Sequence, residues 1–218
     1  MRIVDLYSDN SNLKEVVEIS VRTLEEGGVF VYPTDTVYGI GCDALKTLSV
    51  KRIKKIKKRA SKKPFSVIMR DLEMMDEYVY LSEKDKKIVA KFLPGRFTFV
   101  FKGRNKLSSE VVSEEGKVGV RIPDFRLTRE ISKNFERPYV STSVNLSGEE
   151  SLVVGIDIKL MYDKLKNKPD LMIDAGRLGR IGKPPKPSTV VDLSEKRPRI
   201  LRAGEWEVRE IFDLLSDF

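Results

Sequence analysis

Apolar positions in this chain follow two rhythms, and the switches between them predict its elements. Leu13, Val16, Val17, Ser20, Val21 and Leu24 form one stripe at helical spacing, with Asn12 as the cap and Gly27-Gly28 as the stop. The apolar run 29–32 that follows predicts a strand. A second helix is predicted over about 49–58, where Val50, Ile53 and Ile56 face inward and the lysines outward. Lys63-Pro64 then leads into a strand over 65–69, because the residue before a proline is held in extended backbone. Further strands are predicted over 97–101, 118–122, 139–143, 171–174, 189–193 and 199–201, and helices near 71–80, 84–92, 127–134, 157–165 and 208–215. Strands and helices alternate without a repeat or a low-complexity block. The expected fold is one α/β domain on a mixed sheet.

The polar residues that interrupt these runs gather at strand ends. In Tyr32-Pro33-Thr34-Asp35-Thr36-Val37-Tyr38-Gly39-Ile40-Gly41, hydroxyls, a carboxylate and two glycines share one turn. The glycines leave room for a ligand to approach the backbone, as in many α/β crevices. The structural alternative is a proline-initiated turn in which Asp35 bonds its own backbone. In Ser141-Thr142-Ser143-Val144-Asn145-Leu146-Ser147-Gly148, strand alternation puts Ser141, Ser143 and Asn145 on one face, offered to a nucleotide or spent on a capped turn. Arg121 is a charge inside the apolar strand of Gly119-Val120-Arg121-Ile122-Pro123 and requires an anion. That anion is either a carboxylate of the protein or one of a substrate, held bidentately.

Cations also converge at Lys57-Lys58-Arg59, followed by Ser61 and Lys62-Lys63-Pro64. They suit a triphosphate, or they complement the end of a helix dipole. The cationic, proline-stiffened stretch 176–187 is either a loop closing over phosphate or an inert crossing. Pro187-Ser188-Thr189-Val190-Val191-Asp192 and Arg199-Ile200-Leu201-Arg202-Ala203-Gly204 each end a strand on polar residues.

Composition narrows the chemistry. The 218 residues are 40% hydrophobic, enough to fill a core. The 41 basic and 33 acidic residues leave a formal charge of +8, which favours a polyanionic partner such as a nucleoside triphosphate or RNA. A single cysteine, Cys42, excludes an internal disulfide. The absence of histidine excludes the usual zinc sites and every Ser-His or Cys-His nucleophile. Any chemistry must therefore use Lys, Arg, hydroxyl or carboxylate groups. No segment approaches the roughly 20 apolar residues that span a bilayer, and the start of the chain lacks a signal-peptide core, so a cytoplasmic protein with no membrane partner is expected.

In order, Tyr-Pro-Thr-Asp-Thr-Val-Tyr-Gly-Ile-Gly, Lys-Lys-Arg with Lys-Pro-Phe-Ser, Gly-Val-Arg-Ile-Pro, Ser-Thr-Ser-Val-Asn-Leu-Ser-Gly, Pro-Ser-Thr-Val-Val-Asp and Ile-Leu-Arg-Ala-Gly closely resemble the YrdC family of threonylcarbamoyl-AMP synthases. Six blocks in order are far more specific than any one of them. The resemblance covers about residues 12–205 of a single domain, 1–218. It implies a twisted mixed sheet with flanking helices around a positively charged concave cavity. The implied nucleotidyltransferase condenses L-threonine, bicarbonate or carbon dioxide, and ATP into threonylcarbamoyl-AMP and pyrophosphate, with Mg2+ entering on the triphosphate. The product would pass to a tRNA-modifying threonylcarbamoyl transferase complex.

Carried onto this chain, the family's Lys-x-Arg motif falls on Lys57 and Arg59, the implied catalytic cations, and its Ser-x-Asn motif on Ser143 and Asn145, all at ATP. Lys63, Lys117, Ser151 and Arg202 are implied to flank the nucleotide. Arg121 is implied to bind the threonine carboxylate, with Thr36 and Ser188 lining that site and Ser141 lying between the two ligands. The chain departs from the family pattern at Ala60, Lys63 and Ile68, where proline, a shorter amide and a histidine are common. It stops soon after Arg202-Ala203-Gly204, so the C-terminal domain of longer members is not expected. Two other readings stay open: a module that binds tRNA or double-stranded RNA, and a paralogue acting on another small molecule.

Overall fold

The structure, a computed structural model, describes residues 1–7, 12–58, 64–145, 150–179, 185–195 and 197–204. Asn12 caps α1 (Leu13–Glu25) by accepting a hydrogen bond from the Lys14 amide at 3.0 Å, and the helix buries Val16, Val17, Ser20 and Leu24 of its predicted stripe. Positive φ at Gly27 then turns the chain toward β2 (Phe30–Tyr32). Likewise α2 (Thr47–Ile56) buries Val50, Ile53 and Ile56. Asp71 caps α3 (Leu72–Tyr78), and Ser82 with Asp85 forms a capping box on α4 (Glu83–Phe92). Arg126–Phe135 forms α5 and Gly155–Asp163 forms α6. The helix expected over 208–215 lies outside the described residues.

The remaining strands are β1 (Arg2–Asp5), β3 (Gly39–Gly41), β4 (Ser66–Ile68), β5 (Phe97–Lys102), β6 (Lys117–Arg121), β7 (Tyr139–Ser143), β8 (Leu171–Asp174), β9 (Thr189–Asp192) and β10 (Arg199–Arg202). They join β2 in one mixed ten-stranded sheet, ordered β1-β8-β2-β3-β7-β4-β6-β5-β9-β10. The pairs β1/β8, β8/β2, β4/β6 and β5/β9 are parallel, and the other pairs are antiparallel. No helix among the described residues is long and apolar enough to cross a membrane.

Strand alternation divides the core between the two faces of this sheet. One face packs Val31, Val67, Phe97, Phe99, Val118, Val120, Val140 and Val191 against apolar residues of α2, α3, α4 and α6. On the other face Phe30, Tyr32, Ile68 and Tyr139 pack against α1 and α5. Ser66, Thr98, Gly119, Arg121, Ser141 and Ser143 alternate onto this second face, beyond the cover of those two helices. A polar floor results, on which Thr98 and Arg121 are nonetheless buried.

The glycines of the Tyr32–Gly41 stretch have a different use from the expected one. Gly39 and Gly41 are in β3, opposite Tyr32 and Phe30 of β2. A Cβ on Gly39 would lie 2.9 Å from the Tyr32 ring, and one on Gly41 would lie 2.4 Å from the Val140 carbonyl oxygen. The missing side chains make room for the protein's own aromatic ring and a neighbouring strand, not for a ligand. Because a carbonyl in the sheet cannot swing aside, Gly41→Ala is expected to destabilise the fold by about 1–3 kcal/mol, read as a lower denaturant midpoint.

Candidate active site

Arg121 ends β6 on the polar floor and is 7% exposed. Its Nη1 donates to Thr36 Oγ1 at 2.9 Å, and its Nη2 donates to the Asp35 carboxylate. Thr36 Oγ1 lies 3.0 Å from Thr34 Oγ1, which donates to the Val37 carbonyl at 2.7 Å. Since the Thr34 proton is committed to Val37, Thr36 donates to Thr34, and a directed chain runs from the guanidinium into the 34–37 turn. The other Asp35 oxygen accepts from the Asp124 amide at 3.2 Å. Asp35 thus bonds across the fold, where the structural alternative had it bonding its own turn. Burial pulls the guanidinium below the ordinary arginine range, and the Asp35 charge opposes that shift.

Arg121 lines a cavity of about 80 Å³ with Thr36, Ser66, Thr98, Ser141, Thr142, Ser143, Ser188 and Arg202. Seven hydroxyl side chains and two guanidinium groups meet there. Thr98 Oγ1 and Ser188 Oγ are 2.9 Å apart. Arg202 donates through Nε and Nη2 to the Ser188 carbonyl at 3.0 and 2.8 Å, and through Nη2 to the Ser188 hydroxyl at 3.1 Å. Burial, reinforced by the nearby Arg121 charge, lowers the Arg202 pKa.

A larger cavity of about 560 Å³ adjoins the first, sharing Ser66 and Arg202 with it. Lys117 lines it, with its Nζ 3.1 Å from Glu195, 3.3 Å from Glu115 and 3.4 Å from Asp192. The hydrogen bond to Glu195, with the Asp192 charge and the Glu115 contact, holds this ammonium above the ordinary lysine range. The described lining matches Lys117, Arg199 and Arg202 with Glu114, Glu115 and Asp192. Its formal charge is therefore balanced, not positive, over the described residues.

Lys57 caps the end of α2 and is 3% exposed. Its ammonium donates to the Ser143 carbonyl, to the Asn145 carbonyl at 3.1 Å and to Asn145 Oδ1 at 2.7 Å. Ser143 Oγ donates to the same Oδ1 at 2.9 Å. The two sequence motifs, Lys57 and Ser143 with Asn145, are therefore one hydrogen-bonded knot at the rim of the smaller cavity. Asn145 lies past the end of β7, so alternation does not carry it onto the cavity wall as it does Ser141 and Ser143.

Thr36, Arg121, Ser141, Ser143, Ser188 and Arg202 are thus brought together, with Lys57 and Asn145 joined at their edge and Lys117 in the adjoining hollow. Ser151 is half-buried and lines neither cavity. Arg59, Ala60 and Lys63 lie outside the described residues. Ile68 is fully buried in the apolar cluster with Tyr139. Sequence reading gave no role to Ser66 and Thr98 and gave Asp35 only a bond within its own turn, as the structural alternative. Two of them were discoverable: with Phe97, Phe99 and Val67 on the core face, Thr98 and Ser66 must face the other way.

The family model Sua5_yciO_yrdC, whose description is "Telomere recombination", matches residues 22–204. A putative threonylcarbamoyl-AMP synthase of Methanocaldococcus jannaschii is 31% identical over 211 residues, 96% of this chain and 96% of that protein. YciO of Escherichia coli, an uncharacterized protein, is 29% identical over 205 residues, 94% of this chain and 96% of its own length. The E. coli YciO crystal structure matches with a TM-score of 0.81 at 28% identity, over 95% of this chain and 97% of that one. P. abyssi Sua5 complexed with L-threonine matches with a TM-score of 0.86 at 26% identity, over 98% of this chain. This chain spans 61% of that Sua5 chain. With a family model over most of its length and a full-length relative above 30% identity, the chain belongs to the Sua5/YciO/YrdC family.

Proposed function

We propose that the chain is an L-threonylcarbamoyladenylate synthase, a nucleotidyltransferase that makes threonylcarbamoyl-AMP and pyrophosphate from L-threonine, bicarbonate or carbon dioxide, and ATP. The observation that carries this reading is the pair of adjoining hollows. A small hydroxyl-rich one is anchored by Arg121, and a larger one shares Ser66 and Arg202 with it. The amino acid would occupy the first, its carboxylate on Arg121 and its polar side chain among Thr36, Ser141 and Ser188. The nucleotide would occupy the second, with its phosphates toward Arg202, Ser143 and the Lys57–Asn145 knot. Arg59, Lys63, Lys117 and Ser151 are proposed as further nucleotide contacts.

The threonine amine takes up carbon dioxide to form a carbamate, losing a proton, and a carbamate oxygen attacks the α-phosphorus of ATP. The new P–O bond forms as the bond to the β-phosphate oxygen breaks, and pyrophosphate leaves with the electron pair. Juxtaposing the two substrates removes most of the entropic barrier, and fixed cations stabilise the charge gathering on the phosphoryl oxygens. Mg2+ would arrive on the triphosphate, whose hard oxygens it prefers. No covalent enzyme intermediate is needed. The product would be handed in the cytoplasm to a transferase complex that modifies tRNA.

A second reading, a family member that activates another small carboxylate, draws support from Ile68, which is sealed in the core and offers a substrate no polar contact. Incubating the protein with ATP, Mg2+, bicarbonate and each amino acid in turn, then weighing the nucleotide products, separates the two. The expected product is threonylcarbamoyl-AMP, formed only when threonine and bicarbonate are both present. Formation of a different aminoacyl-derived adenylate would favour the second reading, and pyrophosphate release without threonine would contradict the first.

A further inference from the structure

Arg121 has a counter-ion within its own chain. The Asp35 and Arg121 side chains are each 8% exposed, and they are joined by a direct ion pair. Asp35 is held from its other side by the Asp124 amide and is not among the residues lining the small cavity, whereas Arg121 is. The carboxylate therefore neutralises the guanidinium without itself forming the cavity wall. Two of the five N–H donors of Arg121 serve Asp35 and Thr36, and Nε is buried with no partner among the described residues. Donor capacity remains for a second acceptor, but the single positive charge is already balanced. A ligand carboxylate entering the cavity would share that charge with Asp35 and be repelled by it, in a setting where solvent screens little.

We propose that Asp35 sets the strength of carboxylate binding at Arg121: it keeps the buried cation compensated and oriented, and it competes electrostatically with the carboxylate of the amino-acid ligand. This rests on the reading of Arg121 as the carboxylate anchor. Removing the Asp35 charge leaves a buried cation uncompensated until a ligand carboxylate arrives, so the binding step recovers what the fold has lost.

Calorimetric titration of the full chain tests this with two probes, L-threonine and L-threoninol, which lacks the carboxylate. Asp35→Asn is expected to bind L-threonine at least about tenfold more tightly than the parent, the lower end of what a close charge pair contributes, with the cationic threoninol bound no more tightly than by the parent. Equal or weaker threonine binding by a folded Asp35→Asn would overturn the proposal. Where Asp35→Asn is too unstable to titrate, its melting temperature is compared in formate and in chloride at equal ionic strength. Selective recovery in formate supports the proposal, and identical melting in the two salts overturns it. Arg121→Ala run alongside identifies the step that fails: parent-like threonine binding by that variant would overturn the anchor reading itself, and this inference with it.

Discussion

Arg121→Ala is expected to raise the KM for L-threonine by roughly a hundredfold or more while leaving the KM for ATP within about twofold, because truncating one partner of a buried charge pair costs roughly 2–5 kcal/mol. The same change strands Asp35, which is bonded to Arg121 and to the Asp124 amide, in a nearly closed position. A loss of about 3–5 kcal/mol of fold stability is expected from that uncompensated carboxylate. Denaturant unfolding therefore has to accompany the kinetics. The double variant Arg121→Ala with Asp35→Asn should regain part of the lost stability without regaining threonine use. A variant that stayed folded and used threonine like the parent would remove Arg121 from the amino-acid site.

The second large effect is expected at Lys57. Its ammonium bonds the Ser143 carbonyl and both the carbonyl and side-chain oxygens of Asn145, so one charge holds the end of β7 and the segment just beyond it. Lys57→Met, which keeps the length of the stem, removes that charge and a partner from each of those acceptors. Pyrophosphate release under saturating substrates is expected to fall by about 10²–10³, the range for deleting one fixed group that stabilises developing charge. Threonine binding measured without nucleotide should stay near the parent value. Loss of threonine affinity with normal turnover at saturation would place Lys57 on the wrong substrate.

Much of this architecture was legible in the apolar periodicity. The stripe from Leu13 to Leu24 gave α1, and the strand over Tyr139–Ser143 was located to the residue. Two strands escaped for physical reasons. β1 is a four-residue edge strand with mostly exposed side chains, so no alternation marks it. β3 consists of Gly39-Ile40-Gly41, and glycine is a poor strand former in isolation. It is tolerated here because Tyr32 and the Val140 backbone occupy the space its side chains would take.

At the site, motif order located the residues but not their partnerships. The need of Arg121 for an anion followed from its apolar neighbours, yet that the anion is Asp35 depends on how the 34–37 turn meets the end of β6, a distant contact that local pattern does not encode. The same holds for Lys117, whose charge reads as available in sequence and is shared among three carboxylates in the fold. Over its described lining, the larger hollow pairs each cation with a carboxylate.

The most direct test is a crystal structure of the chain with L-threonine and a non-hydrolysable ATP analogue bound together. The threonine carboxylate should lie within hydrogen-bonding distance of the Arg121 guanidinium, with the analogue's α-phosphate facing the threonine amine and its outer phosphates near Arg202, Ser143 and Lys57. An amino acid bound away from Arg121, or a nucleotide whose phosphates point out of the adjoining hollow, would contradict the account.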